Sequence, residues 1–263
     1  MNKMLKKELE PGIIHYIFSP RNERNYFADS IITVIDEGKA ILIDVGYEDE
    51  AQQVIDDLSV NGITIDKIVI SHFHADHLWG VNVLPDIPFY GGVRYKETLI
   101  AEGCSEEEIK KYTPTVTIDK PMILKFGRHE LELIPIPISG HAVCTIFIKI
   151  NRQFLQIGDE MMFSVDGQQI LPYLCDLCDG KKDIRGQIKV LDKLENYSEF
   201  TIIPAHGPVF EGGILQGYIQ NLKIYLNAVL ESKGKISYEQ AVKNCDYLFL
   251  HSNWHEHNCQ SLR

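Results

Sequence analysis

The sequence predicts an α/β fold in which two β-sheets pack face to face with helices on the outside. Two observations carry this reading. β-rich runs fall into two blocks along the chain, and each block is flanked by segments with helical apolar spacing. A chain of 263 residues buries a large core, and an α/β layer architecture of this length is often one domain. Hydrophobic residues make up 44% and charged residues 24%, a globular rather than a disordered composition.

In the first block, Ile31 to Asp36 and Lys39 to Asp44 are β-rich runs joined by Glu37-Gly38, a short hairpin signal. Glu48 to Leu58 reads as a helix, with acidic residues in its first turn and Ala51, Val54, Ile55 and Leu58 on one face. Ile68 to Ser71 is short and apolar, as a central strand covered on both faces should be. Ile87 to Gly91 reads as a short strand, and Lys96 to Tyr112 as one or two helices interrupted near Gly103.

In the second block, Met122 to Phe126, Glu130 to Ile138, Thr145 to Ile150 and Gln153 to Ile157 read as strands, with turns at Gly127 and Asn151-Arg152. Lys181 to Leu194 reads as a helix, Phe200 to Pro204 as a strand and Gly217 to Ser232 as a helix. There is no internal repeat, low-complexity tract or linker. The expectation is one domain over 1–263 with a C-terminal helical extension from about 213.

The formal charge of −11 weighs against nucleic-acid binding, because such proteins present a basic face to the phosphates. No stretch approaches the roughly 20 apolar residues that span a bilayer. Met1 to Gly12 carries lysines but no apolar core of a secretory signal. A cytoplasmic protein acting on a small molecule, with no membrane partner, is therefore expected. Cys104, Cys144, Cys175, Cys178, Cys245 and Cys259 would then be mostly reduced thiols.

The chemistry concentrates in His72-Phe73-His74-Ala75-Asp76-His77, four metal-binding side chains in six residues directly after a buried strand. Imidazole and carboxylate hold zinc, iron or manganese, and a strand end keeps them still. Three more residues of ligand type follow apolar runs: His141 in Ser139-Gly140-His141, Asp159 after Gly158, and His206 in Ala205-His206-Gly207. Each has a small residue just before it and stands at the end of an expected strand, where rigid scaffolds present sites.

With those residues in place, the chain resembles the metallo-β-lactamase fold superfamily of hydrolases over nearly its whole length. Leu42-Ile43-Asp44-Val45-Gly46, His72 to His77, Gly140-His141, Gly158-Asp159 and His206-Gly207 occur in the family's order. The resemblance implies an αββα four-layer sandwich of two mixed β-sheets with a two-metal site at the open edge between them. One metal would take His72, His74 and His141, and the other Asp76, His77 and His206, with Asp159 bridging. Asp44 would orient the hexapeptide loop without binding metal. Two divalent ions, zinc first with iron or manganese compatible, would share a hydroxide and polarise the substrate, and Asp76 would orient the nucleophile.

A lone histidine is by default structural or superficial, which suits His15, His129 and His251. Cys175-Asp176-Leu177-Cys178 has zinc or redox spacing but no partner pair, so a structural role is expected. The tail Asn253 to Asn258, with His255 and His257, is expected to pack as a terminal segment rather than fold over the site. Ser19 to Asp29, Phe163 to Lys182 and the tail are the candidate pocket segments.

Within the superfamily, Asp159 stands where familiar lactamases place a metal-binding cysteine. Pro204-Ala205-His206-Gly207-Pro208 replaces the Cys-Gly-His-Glu type motif common in glyoxalase II enzymes, which weighs against glutathione specificity but leaves thioesters open. Met162 stands where acyl-homoserine lactonases place a tyrosine. The expected activity is hydrolysis of a small ester, thioester or lactone-like bond. The alternatives are a mononuclear-iron persulfide dioxygenase, a phosphodiesterase, or a non-catalytic metal-holding protein.

Overall fold

The computed structural model describes residues 3–21, 27–137, 139–175, 183–260 and 262. Seven strands form the first sheet in sequence order: β1 (Met4–Glu10), β2 (Ile13–Phe18), β3 (Ser30–Asp36), β4 (Lys39–Ile43), β5 (Thr64–Val69), β6 (Phe89–Gly92) and β7 (Val116–Ile118). Pairing is antiparallel from β1 to β4 and parallel from β4 to β7, so the sheet is mixed. The second sheet runs β13-β12-β11-β10-β9-β8, from β8 (Met122–Phe126), β9 (His129–Ile136), β10 (Thr145–Ile150), β11 (Phe154–Gln156), β12 (Thr201–Ile203) and β13 (Phe210–Glu211). Its β11–β12 pair is parallel and the others antiparallel.

Burial on both faces explains the β-branched runs. On β4, Ile41 and Ile43 point between the sheets, where they join Ile32, Val34, Ile146 and Ile148. The alternate residues Ala40 and Leu42 face outward onto Val54 and Leu58 of α1 (Glu48–Val60). The outer face of the second sheet carries Phe147 and Leu155 under α5 (Ile184–Leu194) and α6 (Gly212–Glu231). Helices thus cover both outer faces, and the expected four-layer sandwich is the observed one.

The remaining helices are short: α2 (Ala75–Leu78), α3 (Tyr95–Ala101), α4 (Glu106–Lys111), α7 (Tyr238–Ala241) and α8 (Trp254–Gln260). The break between α3 and α4 falls at Gly103 (φ +78°), as the sequence indicated, and Ser105 caps α4 by accepting from the Glu108 N–H at 3.3 Å.

Three differences from the sequence reading stand out. The N-terminal hairpin β1–β2 is absent from the sequence reading, because β1 is an edge strand whose Lys6, Lys7 and Glu8 break any alternation. The strand before the hexapeptide begins earlier, at Thr64, although the Ile70 N–H still donates to the Tyr90 carbonyl at 2.9 Å. Helix α6 begins at Gly212 rather than Gly217: a Cβ on Gly212 would meet the Phe200 carbonyl at 2.5 Å, so close packing places a glycine inside the helix start. Among the described residues no helix is long and apolar enough to cross a membrane.

Candidate metal centre

All four hexapeptide side chains stand just beyond β5. His74 is the N-cap of α2, and Asp76 and His77 lie on its single turn. The second sheet supplies the rest: His141 follows β9, Asp159 follows β11 and His206 follows β12. Gly158 adopts φ +56° with its missing Cβ 3.0 Å from Thr145 Cγ2, so a left-handed turn swings Asp159 into the site.

The seven residues gather into two groups. In one, His74 Nδ1 lies 3.1 Å from His72 Nε2 and 3.0 Å from His141 Nε2. In the other, Asp76, His77, Asp159 and His206 converge, with His206 Nε2 3.4 Å from Asp76 Oδ2 and His77 Nε2 3.5 Å from Asp76 Oδ1. Asp159 belongs to both. Its Oδ2 is 3.1 Å from His206 Nε2 and 3.3 Å from His141 Nε2, while its Oδ1 is 3.5 Å from His77 Nε2.

The donor set fits divalent ions. Tetrahedral nitrogens about 2.05 Å from a zinc ion stand ~3.3 Å apart, close to the spacing of the histidine triad. His77 Nε2 and Asp159 Oδ1 are buried with no hydrogen-bond partner, a costly arrangement unless a cation completes it.

Charge follows the same division. Burial, then His77 and His74, hold His72 well below the ordinary imidazole range, and burial and His141 push His74 down to about 3. Both are therefore neutral, with lone pairs available. Burial alone would lower His77 and His206 too, but the surrounding carboxylates outweigh it: Asp76 and Asp159 raise His77, and Asp159 raises His206. In turn, against the opposing effect of burial, His77 and His206 hold Asp76 low, and His206 and His77 hold Asp159 low.

Asp44 sits in a left-handed conformation (φ +54°) at the end of β4 and ties the loop together. Its Oδ1 accepts from the Ser71 N–H at 2.7 Å. Its Oδ2 accepts from the Ser71 hydroxyl at 2.7 Å and Gln156 Nε2 at 3.2 Å, and faces His77 Nδ1 at 3.1 Å. That leaves His77 Nε2 for the centre, an orienting role of the kind expected from the sequence.

Asp29, which the sequence did not single out, does the same for His206: its Oδ1 lies 3.2 Å from Nδ1. Arg21 backs this segment, 3.8 Å from Asp29, 3.0 Å from buried Glu50 and 2.5 Å from Asp49, with its guanidinium over the Tyr47 ring. The Tyr173 carbonyl lies 3.0 Å from His141 Nδ1 and fixes that ring. No sequence signal marks a backbone carbonyl. Asp29 carried only its place in a candidate pocket segment.

A cavity of about 280 Å³ opens over the centre, walled by Phe27, Tyr47, Glu102, Met162, Tyr173, Cys175 and Trp254. The tail both packs and builds this wall. Trp254 stacks on Phe27 at 5.3 Å and meets Tyr173 edge-on at 5.1 Å, and His257 stacks on Tyr173 at 4.2 Å. Cys175 Sγ lies 3.6 Å from His74 Nε2, so this thiol is beside the centre, not remote from it; Cys178 lies outside the described residues. His129 is structural, 3.2 Å from the Ile35 carbonyl and 2.9 Å from Asn151, and His15 is buried in β2. His251 instead stacks on Phe27 and Trp254 at the cavity's margin.

The family description "Metallo-beta-lactamase superfamily" matches residues 28–206, a span that holds all seven residues and Asp44. The chain belongs to the metallo-beta-lactamase superfamily. A relative within reach of sequence comparison is a hydroxyacylglutathione hydrolase of Shewanella denitrificans, 29% identical over 124 residues. That match spans 47% of this chain and 43% of the relative's length. Among solved structures, a metallo-beta-lactamase from Pontibacter korlensis superposes with a TM-score of 0.67 at 16% identity, covering 84% of this chain and 99% of that one. The DIM-1 metallo-beta-lactamase gives 0.65 at 19%, covering 84% and 97%. At these identities the structural likeness establishes the superfamily fold and nothing finer.

Proposed function

We propose that this superfamily member is a cytoplasmic binuclear metal-dependent hydrolase of small thioester or ester substrates, with zinc the first candidate metal. The single observation that carries the reading is the position of Asp159, whose carboxylate reaches nitrogens of both ligand groups within 3.1–3.5 Å. His72, His74 and His141 would hold one ion, and Asp76, His77 and His206 the other. Two divalent ions in such a site supply Lewis-acid activation of water near neutral pH and of the scissile carbonyl.

This chain's own groups do the rest. Asp76 is the least enclosed of the second group and borders the cavity, where its carboxylate orients the attacking water. The aromatic wall excludes bulk water from one side and seats the substrate's apolar part. Thioesters come first among the bonds considered because the curated relative is named for hydrolysing an acylglutathione.

The test is elemental analysis of purified protein together with His74→Ala and Asp159→Ala. Two ions per chain are expected in the parent. Each variant is expected to lose metal and at least about a hundredfold in thioester hydrolysis, since even outer partners of metal ligands cost 10–100-fold. Unchanged metal content in both variants refutes the assignment, and a single tightly held iron would point to the oxygenase alternative.

A further inference from the structure

The cavity over the centre has a chemical bias that ligand assignment leaves unused. Phe27, Trp254 and Tyr173 touch in series and present a continuous aromatic wall, with ring centroids 5.3 and 5.1 Å apart. Glu102, at the end of α3, lines both this cavity and an adjoining pocket of about 140 Å³. Its Oε1 lies 3.8 Å from His74 Nε2, the nitrogen turned away from the triad, so the carboxylate flanks the centre at the width of one ring.

No lysine or arginine lines either cavity among the described residues, and Arg21 is engaged by Asp49, Glu50 and Asp29. Aromatic rings and a carboxylate lining one cavity attract organic cations, since ring quadrupole and charge act in the same direction. A distal carboxylate or phosphate on the substrate would find repulsion from Glu102 instead. The net charge of −11 adds a long-range pull of the same sign.

We infer that this site selects substrates bearing an ammonium or quaternary ammonium group close to the scissile bond, held between Glu102 and the Tyr173–Trp254–Phe27 wall. The kinetic part of this inference rests on the hydrolase reading above; the binding part does not.

The experiment uses the full metal-loaded chain and an isosteric pair, acetylthiocholine and S-(3,3-dimethylbutyl) thioacetate, which differ only by nitrogen for carbon at the cation. The charged member is expected to have the larger kcat/KM, by about tenfold, with Glu102→Gln collapsing that ratio towards one. In parallel, benzyltrimethylammonium, which cannot ligate a metal, is titrated against tryptophan fluorescence, with Trp254→Phe identifying the reporting ring. Quenching that weakens about tenfold in Glu102→Gln supports the inference. Equal kcat/KM for the two isosteres, or a ratio unmoved by Glu102→Gln, overturns it while leaving the hydrolase reading intact, because a merely structural Glu102 would lower both substrates together. If neither thioester is hydrolysed, the hydrolase reading fails for thioesters and the titration alone decides. Absence of benzyltrimethylammonium binding then overturns the inference.

Discussion

Replacing Asp44 by asparagine isolates the value of a charge that touches no substrate. The carboxylate accepts from the Ser71 N–H and hydroxyl at 2.7 Å each and from Gln156 Nε2 at 3.2 Å, and it faces His77 Nδ1 at 3.1 Å. Asn can keep its carbonyl on one side only. Whichever way it turns, its NH2 meets an N–H donor: Ser71 N on one side, Gln156 and His77 on the other. Turned the cheaper way, with its NH2 against the Ser71 N–H, Asn forfeits one hydrogen bond to a charged group, a loss of about 1.5–3 kcal/mol. In a chain of this size that lowers the melting temperature by about 3–12 °C. The looser His77 should also weaken metal at its group by about 10–100-fold. Thermal unfolding of metal-free protein measures the first effect, and competition with a chromogenic chelator the second. A variant that melts within about 1 °C of the parent and holds both ions equally well would show that the loop orients itself without Asp44.

Asp29→Asn should loosen one ion about tenfold while sparing the other, because His206 is the ligand that Asp29 faces; chelator competition showing both ions loosened equally would contradict this. Zinc loading should release between about one and two protons near pH 7, since carboxylates keep His77 and His206 protonated in the metal-free protein and coordination needs them neutral. Calorimetry in buffers of different ionisation enthalpy reads this, and no release would mean that these imidazoles are already neutral. His15 is wholly buried with neither ring nitrogen partnered, and burial lowers its pKa to about 3. The unfolded chain then binds the extra proton, so this residue's contribution to stability is complete above pH 6.5 and is lost as pH falls towards 3. His15→Leu should flatten that acid limb and add about 1 kcal/mol at neutral pH, and an unchanged pH profile of denaturant unfolding would count against it. Gly158→Ala should cost about 1–2 kcal/mol for its left-handed φ and reduce bound metal by displacing Asp159, which a parent-like metal content would exclude.

The ligands were legible because each follows an apolar strand and carries unmistakable donor chemistry; His72 to His77 needed no partner to be noticed. What escaped depends on contacts between distant segments. Asp29 and His206 meet across 177 positions through an isolated bridge, and nothing local distinguishes Asp29 from any loop aspartate. Glu102 is half-exposed at a helix end, the commonest place for a solvated carboxylate, and only the cavity gives it meaning. Trp254 and His257 looked like a terminal segment because aromatic content alone does not say which surface the rings meet. Strand β2 was available in principle, since Pro11-Gly12 precedes a run of β-branched and aromatic residues, but its edge partner β1 lacks any alternation to confirm a hairpin.

The distribution of ligands between the sheets ties the centre to the fold. His72, His74, Asp76 and His77 follow the first sheet's β5, whereas His141, Asp159 and His206 follow strands of the second. Neither sheet alone offers a complete group: the triad needs His141, and the other group needs Asp159 and His206. Bound ions would therefore link the two sheets at the edge where their inter-sheet core ends, near Ile43, Val69 and Ile203. In the metal-free protein the same edge holds clustered carboxylates and partly protonated imidazoles, with buried atoms that lack partners. Metal should then raise global stability by mass action, and it should protect amides of β5 and β12 more than those of the distant β1–β2 hairpin. Hydrogen exchange with and without zinc separates this from uniform stabilisation, because uniform protection would mean that the ions do not act as a link between the sheets.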